Sequence, residues 1–431
     1  MGVTGDPGDF FLLGCRLIDG QGGDPLDRAI VHVLGDRVAG VAAEANVRLP
    51  KRGGRIDLEG LTLIPGLVDC HVHLATLFRS FEDENRDPIS LQLLRATVYA
   101  RRTIEAGVTT ARDAGMTPAG LRAAIDEAFV SGPRLQCSVG IVSQTGGHGD
   151  WSLPSGVDPR PRLPDVPAAI ADSPDDMRRV VRTLIRSGAD WIKVCTSGGV
   201  LSANDPADTP QLTCEEIRVA VAEARAARLR GVMAHAIGAE GILRALRSGV
   251  RSIEHGYLID EEGLDLMVRT GAFLVPTIHA LASIRERSEH EHGSMASWAL
   301  AKLTTAERGQ QASLGEAIRR GVRIAMGTDA GVGHHGTNGR EIGMLVRAGM
   351  APMAAIQAAT VVGAELLGLA DEIGIVAAGK RADLVAVAGD PLVDPDCVGD
   401  PSNIRLVIKG GVVEKDLDGR AAQTALSRGD L

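Results

Sequence analysis

Aromatic side chains are scarce: Phe, Tyr and Trp together make up 3% of the 431 residues. A hydrophobic fraction of 44% is still ample for a core, so close packing must come from small and branched aliphatic residues. Long apolar runs are missing too. No uncharged apolar run reaches the roughly 18 residues that a membrane-spanning helix requires. The N-terminus MGVTGDPGDFFLLGCRLIDG has no basic stretch ahead of a long apolar core, so no signal peptide is expected. Cysteines stand at 15, 70, 137, 195, 214 and 397, and none forms a C-x-x-C pair. Cys70, Cys137 and Cys195 lie in apolar strand-like runs, where a thiol serves as a small core residue. A reducing cytoplasm is the expected location. Excess positive charge is absent as well: the formal charge is −9, and the arginines are scattered among Asp and Glu. That pattern reads as a solvated surface and argues against nucleic acid or an anionic membrane as partner.

The chain is roughly twice the length of a usual compact domain, which predicts one large unit and a smaller one. Its middle alternates β-rich runs with helical ones. The candidate strands are LTLIPGLVDCHVH (61–73), GVTTARD (107–113), RLQCSVGIVS (134–143), DWIKVCTSG (190–198), GVMAHAIG (231–238), RSIEHGY (251–257), AFLVPTI (272–278) and VRIAMGTDAG (322–331). Helical runs fall between them. TCEEIRVAVAEARAARLRG (213–231) opens with Thr213 and Glu216 at capping-box spacing, and it closes on glycine, as do 240–249 and 305–321. Eight strands separated by helices predict parallel β/α units closing into a (β/α)8 TIM barrel. An open doubly wound sheet is the rival, but no G-x-G-x-x-G follows the first strand. Residues 10–60 and 379–414 instead carry short alternating strands, expected to pair as a small composite β-sandwich. The predicted division is 1–61 and 373–431 for that β unit and 62–372 for the barrel. The connections 144–172 and 279–304 read as long loops over an active site.

Histidines and acids recur where these strands end. His71 and His73, two apart, project to one face of the first strand. Lys193 lies near the end of the fourth, His235 at the end of the fifth, His255 of the sixth and Asp329 of the eighth. Each alone has an ordinary structural explanation: a bonded core histidine, a snorkelling lysine, a helix-capping acid. Together they interrupt apolar strands in a common register, which accident does not readily produce. Several imidazoles with a carboxylate suit Zn²⁺ or a similar divalent ion. SEHEHGS (288–294), with His290 and His292, lacks a strand to hold it and reads as solvated surface. His279 is left unassigned.

PGLVDCHVHL, WIKVCTSGG, MAHAIG, SIEHGY and MGTDAG resemble the strand 1, 4, 5, 6 and 8 signatures of the amidohydrolase superfamily. The resemblance covers nearly the whole chain, including the GKRADLVAV return. TGGHGD (145–150), KVCTSGGVLS and HHGTNGREI resemble its imidazolonepropionase-like branch, which contains Xaa-Pro dipeptidases and related carboxypeptidases. The resemblance implies a binuclear metal hydrolase of amide bonds. His71, His73 and Asp329 would hold one divalent ion, zinc by the ligand type, and His235 and His255 the second. Lys193, carboxylated by CO₂, would bridge them, since burial supplies the neutral amine that attacks CO₂. A hydroxide shared by the metals would attack the carbonyl, with Asp329 as proton shuttle and His148 as donor to the oxyanion.

Substrate signals are thinner. In the peptidase relatives a polar or aromatic group two residues beyond the fifth-strand histidine is expected to contact a substrate carboxylate, and here that position is Ile237. Tyr257, Asn338 and Arg340 are substitute polar candidates, while Trp151 and Ile237 favour an apolar or aromatic group. The expected substrate is a small-molecule amide or peptide: a dipeptide or N-acyl amino acid, a bulky aromatic amide of the ochratoxin type, or a cyclic amide, imidazolone or lactone. The reading outside enzymes is a barrel that has lost catalysis and serves assembly, which retention of every ligand position opposes. Association into a homo-oligomer is expected from the resemblance.

Overall fold

The computed structural model describes residues 8–50, 53–77, 87–153, 155–158, 163, 165–202, 205–290 and 295–421. In chain order the strands begin with β1 (Asp9–Leu17), β2 (Leu26–Leu34), β3 (Arg37–Ala43), β4 (Gly54–Asp57) and β5 (Leu61–Pro65). The middle of the chain holds β6 (Leu67–Val72), β7 (Val108–Asp113), β8 (Arg134–Cys137), β9 (Ile141–Val142) and β10 (Trp191–Cys195). It continues with β11 (Gly231–Ala236), β12 (Ser252–His255), β13 (Phe273–Val275) and β14 (Arg323–Ile324). β15 (Leu384–Ala388), β16 (Ile404–Lys409) and β17 (Val412–Asp416) close the series. Among the described residues no helix is long and apolar enough to cross a membrane.

The two ends of the chain meet in one eight-stranded sheet, ordered β17-β16-β15-β5-β1-β2-β3 with β4 also on β1. Period-two alternation gives it two faces. Phe10 and Leu12 of β1, Val31 and Val33 of β2, Leu63 of β5, Leu384 of β15 and Leu406 of β16 bury one face in a shared cluster. The register of β1 shifts between Leu13 and Cys15, where Gly14 takes a φ of 73°, and this bulge keeps Cys15 and Leu17 on that same buried face. Ile64, Val385 and Val407 point the other way, into the large core of the central region. The small sheet is thereby anchored on the α/β part.

The central strands are parallel throughout, in a three-stranded sheet β6-β7-β8 and a six-stranded sheet β14-β13-β12-β11-β10-β9. The expected ring of eight is therefore described as two sheets. The run 134–143 breaks into β8 and β9 around Val139, whose φ is +65°, so β8 pairs with β7 and β9 with β10. β6, β7 and β10 are buried along their whole length, as expected of strands covered on both faces. Helices pack outside them by an apolar stripe. Pro174–Arg186 buries Met177, Val180, Val181 and Leu184, starts with Ser173 accepting from the Asp176 amide, and carries Asp175 and Asp176 in its first turn. Cys214–Ala226 has both halves of the Thr213–Glu216 capping box.

Two expectations change. LTLIPGLVDCHVH is two strands, β5 in the small sheet and β6 in the parallel region, with Gly66 between them. The stretch 279–304 is largely helical, Ile278–His290 followed by Ser297–Arg319. Its charges lie on the solvent side of helices that bury Leu281, Ile284 and Leu303, which made it read as a loop. His290 is exposed at a helix end, bonded to the Glu286 carbonyl at 2.7 Å, and His292 lies outside the described residues.

Gly66 leaves no room for a side chain: a Cβ there would sit 2.2 Å from Thr109 Oγ1 and 2.6 Å from its Cγ2. Gly66→Ala should therefore cost ~1–3 kcal/mol of stability by overpacking, read from urea unfolding. An unchanged midpoint would show that Thr109 moves aside freely.

Candidate metal centre

The ligand-type side chains do converge. One donor atom each from His71, His255 and Asp329 lies within 4.8 Å of the others. Asp329 Oδ1 stands 3.2 Å from His73 Nε2 and 3.6 Å from His71 Nε2. Lys193 Nζ is 3.5 Å from His71 Nε2. His235 joins by ring contact, its centroid 4.6 Å from that of His255, and His148 stacks on His235 at 4.0 Å. All six predicted ligand positions thus meet at one place, together with His148.

Each imidazole is oriented from behind. His71 Nδ1 is 2.7 Å from Glu254 Oε2, His73 Nδ1 2.9 Å from the Gly115 carbonyl, and His255 Nδ1 2.8 Å from Thr277 Oγ1. Their Nε2 atoms are thereby left for the centre. His235 is reversed: its Nε2 lies 3.0 Å from the Gly198 carbonyl, which leaves Nδ1. Such outer partners set the tautomer of a metal-ligating histidine. The backbone contributes as well, since His255 and Asp329 have φ of 73° and 56°, in the left-handed region that non-glycine residues seldom adopt. The Asp329 amide donates to the His71 carbonyl at 2.8 Å, which holds the turn in place.

Protonation follows from burial. It holds His71 and His235 well below the ordinary imidazole range and His255 at about 3, so these rings present lone pairs. Burial also lowers Lys193, against the opposing pull of Glu254. For Asp329 burial works upward, but the facing His73, itself raised above the ordinary imidazole range by this carboxylate, pulls the other way, and the carboxyl lies below its usual range. Asp329 Oδ1 is nonetheless buried without a hydrogen bond of good geometry. An orphaned carboxylate oxygen facing several imidazole lone pairs is the arrangement that a divalent cation satisfies. The residues present fit a divalent metal ion.

Behind the centre lies a buried polar scaffold that the sequence reading passed over. Arg112 is fully buried and donates to the Cys70 carbonyl, Ser252 Oγ and Glu254 Oε1 at 2.6, 3.0 and 2.8 Å. Its guanidinium also lies over the Trp191 ring, 4.7 Å from the centroid. Asp69 accepts from the His71 amide, Thr328 Oγ1 and Asn338 Nδ2 at 3.0, 2.6 and 2.8 Å, and burial pushes it up to about 6. Asp113 accepts from the Leu74 and Gly115 amides and from Thr117, bracing the turn after His73. Charged residues inside the apolar runs TTARD, LVDCH and SIEH were the available signal.

A cavity of about 430 Å³ opens onto the centre and is lined by His148, Trp151, Ile237 and Tyr257. Apolar side chains such as Leu153, Leu281, Ile284 and Trp298 form much of its wall. Tyr257 offers its ring to this space, since its hydroxyl is 3.2 Å from the Thr277 carbonyl and 2.9 Å from Thr277 Oγ1. Two substrate candidates fall elsewhere. Asn338 is fully buried in the Asp69 network, and Arg340 pairs with Glu286; neither lines the cavity. Asn338, in the turn before the helix Arg340–Arg347, folds inward, whereas Arg340 opens that helix and points outward.

A sequence model described as the amidohydrolase family matches residues 62–413. Ochratoxinase of Aspergillus niger is 34% identical over 417 residues, covering 93% of this chain and 85% of that protein. Imidazolonepropionase of Cutibacterium acnes is 25% identical over 393 residues, covering 86% and 89%. The crystal structure of a Xaa-Pro dipeptidase with bound methionine in the active site superposes with a TM-score of 0.85 at 34% identity, covering 94% of this chain and 99% of that one.

Replacing Arg112 by Met strands Glu254 as an unpaired buried charge and should cost ~3–5 kcal/mol in chemical unfolding. Arg112→Met/Glu254→Gln removes both charges and should regain a measurable part of that loss. Equal losses in the two variants would show that the pair is not what the scaffold depends on.

Proposed function

The chain belongs to the amidohydrolase family and is a hydrolase of amide bonds; from this premise we propose that it is a binuclear zinc enzyme cleaving N-acyl amino acids with a bulky apolar or aromatic group. The carrying observation is the largely apolar cavity, flanked by Trp151 and Trp298, that opens directly onto the histidine cluster. His71, His73 and Asp329 would hold one ion, His235 and His255 the other, and Lys193 carboxylated by CO₂ would bridge them. Bound there, they would supply activation of water and polarisation of the scissile carbonyl.

The protein's own groups do the rest. Asp329 takes a proton from the hydrolytic water and passes it to the leaving nitrogen. His148, on the cavity wall, donates to the carbonyl oxygen as that oxygen gains charge. The indoles, Ile237 and the Tyr257 ring hold the apolar group and keep water from it. Likeness to ochratoxinase supports the aromatic amide. Likeness to a Xaa-Pro dipeptidase favours a dipeptide as the second reading.

In the same reading the two parallel sheets are arcs of one (β/α)8 barrel spanning 62–372, with 1–61 and 373–431 forming the small β unit. Support comes from bonds across both gaps: Cys70 N to Met326 O at 2.9 Å on one side and Asp190 N to Cys137 O at 2.7 Å on the other.

Asp329→Asn should keep most of its bound metal by elemental analysis yet lose roughly 10²–10⁴-fold in kcat; retained turnover would remove Asp329 as proton shuttle. On a panel of N-acyl amino acids and dipeptides, N-benzoyl-L-phenylalanine should be cleaved with higher kcat/KM than Ala-Pro or Gly-Pro. The reverse order would establish the dipeptidase reading. Trp298→Ala should raise KM for the aromatic substrate about tenfold, ~1.4 kcal/mol, and leave small dipeptides nearly unchanged.

A further inference from the structure

His148 sits in a stretch without regular secondary structure, yet its ring is held closely. Ser202 Oγ lies 3.0 Å from Nδ1 and Asp205 Oδ2 3.5 Å from it. The Ser202 side chain also hydrogen-bonds to Asp205, so the carboxylate reaches the ring both directly and through the hydroxyl. Asp205 is itself buried, 5% exposed, and its Oδ2 accepts from the Gly199 amide at 3.2 Å and from Gln211 Nε2 at 3.4 Å. Gln211 Oε1 accepts the main-chain N–H of His148 at 2.9 Å. The imidazole lies against Gly199, where an added Cβ would fall 2.1 Å from Cε1 and 2.2 Å from Nδ1. Finally Lys302, on the helix Ser297–Arg319, donates to the carbonyls of Gly199, Ser202 and Asp205 at 3.0, 2.7 and 2.7 Å. One ammonium thus ties down the segment that carries both partners of the histidine.

The chemistry of these groups gives the arrangement a direction. A carboxylate only accepts hydrogen bonds, so the nitrogen facing it carries the proton. That commits Nδ1 to Ser202 and Asp205 and reserves Nε2 for the cavity. We infer that Asp205 and Ser202 are a positioning pair for His148, fixing its ring so that Nε2 meets the substrate, with Lys302 holding the segment that bears them. A buried acid thereby acts on the reaction through an imidazole it orients. The role rests on the functional reading above, in which His148 faces the reacting carbonyl.

The test is a double-mutant cycle on the zinc-loaded enzyme with N-benzoyl-L-phenylalanine. Asp205→Asn and Ser202→Ala should each lower kcat by about 10–100-fold with KM within about twofold, and Asp205→Glu should recover part of the loss. Made in a His148→Ala background, Asp205→Asn should change kcat by less than about twofold, because its effect passes through the missing ring. Equal losses with and without His148, or an unchanged kcat in Asp205→Asn and Ser202→Ala, would overturn the pairing. If Asp205→Asn does not fold, Ser202→Ala carries the same cycle. Imidazole ¹⁵N spectra, with His148 assigned by its absence from His148→Ala, give a readout independent of turnover. They should show Nδ1 protonated in the wild type and altered in Asp205→Asn, and an unprotonated Nδ1 in the wild type refutes the inference. Should the wild type hydrolyse no amide on the panel, the functional reading falls and the spectra alone decide the pairing.

Discussion

The site depends on a fully buried polar chain running from Arg112 through Glu254 to His71. Taking an arginine and a glutamate out of water costs several kcal/mol per ion, and the pair holds only if the remaining donors and acceptors are satisfied. Here the guanidinium bonds the Cys70 carbonyl, Ser252 and Glu254 and lies over Trp191, while the second oxygen of Glu254 meets His71. Four strands, β6, β7, β10 and β12, supply these groups. The chain therefore fixes the mutual placement of strands that carry ligand-type residues, and it sets the tautomer of the first histidine at the same time.

On that scaffold the centre is shaped more by what lies behind each ligand than by the ligands themselves. Asp69 ties the His71 amide to Thr328 and Asn338. The two turns that end in His71–His73 and in Asp329 are therefore one unit. The left-handed backbone at His255 and Asp329 stores strain that only a well-determined surrounding retains. Burial keeps His71, His235 and His255 neutral, so these three rings present lone pairs to the centre. Above it lie the apolar walls of the cavity and the braced ring of His148.

Much of the centre was legible because its residues break a pattern. A histidine, a lysine or an aspartate at the end of an apolar strand stands out, and a common register across five strands gives the breaks one meaning. The composite sheet was legible for a related reason, as short alternating runs at both ends have no other way to bury one face. Glu254 and Arg112 break the same pattern, yet were passed over beside the more conspicuous His255 and the unremarkable TTARD. The helices over 279–304 were hidden by surface charge. Asn338 and Arg340 show the limit of naming side chains in a turn, since nothing local says which one folds inward.

Residue type and strand register, both properties of the chain alone, determined the α/β class and which side chains meet at the strand ends, and the resemblance carried by the same motifs implied amide hydrolysis. They suffice because a strand's period of two and the chemistry of imidazole and carboxylate are local. Which groups stand behind those ligands was decided only by tertiary structure. Arg112 and Glu254 are 142 positions apart, and so their pairing is set by how the strands pack. The cavity's character was decided in the same way: Trp151, Ile237, Leu281 and Trp298 come from separate elements, and only their packing makes them one apolar wall.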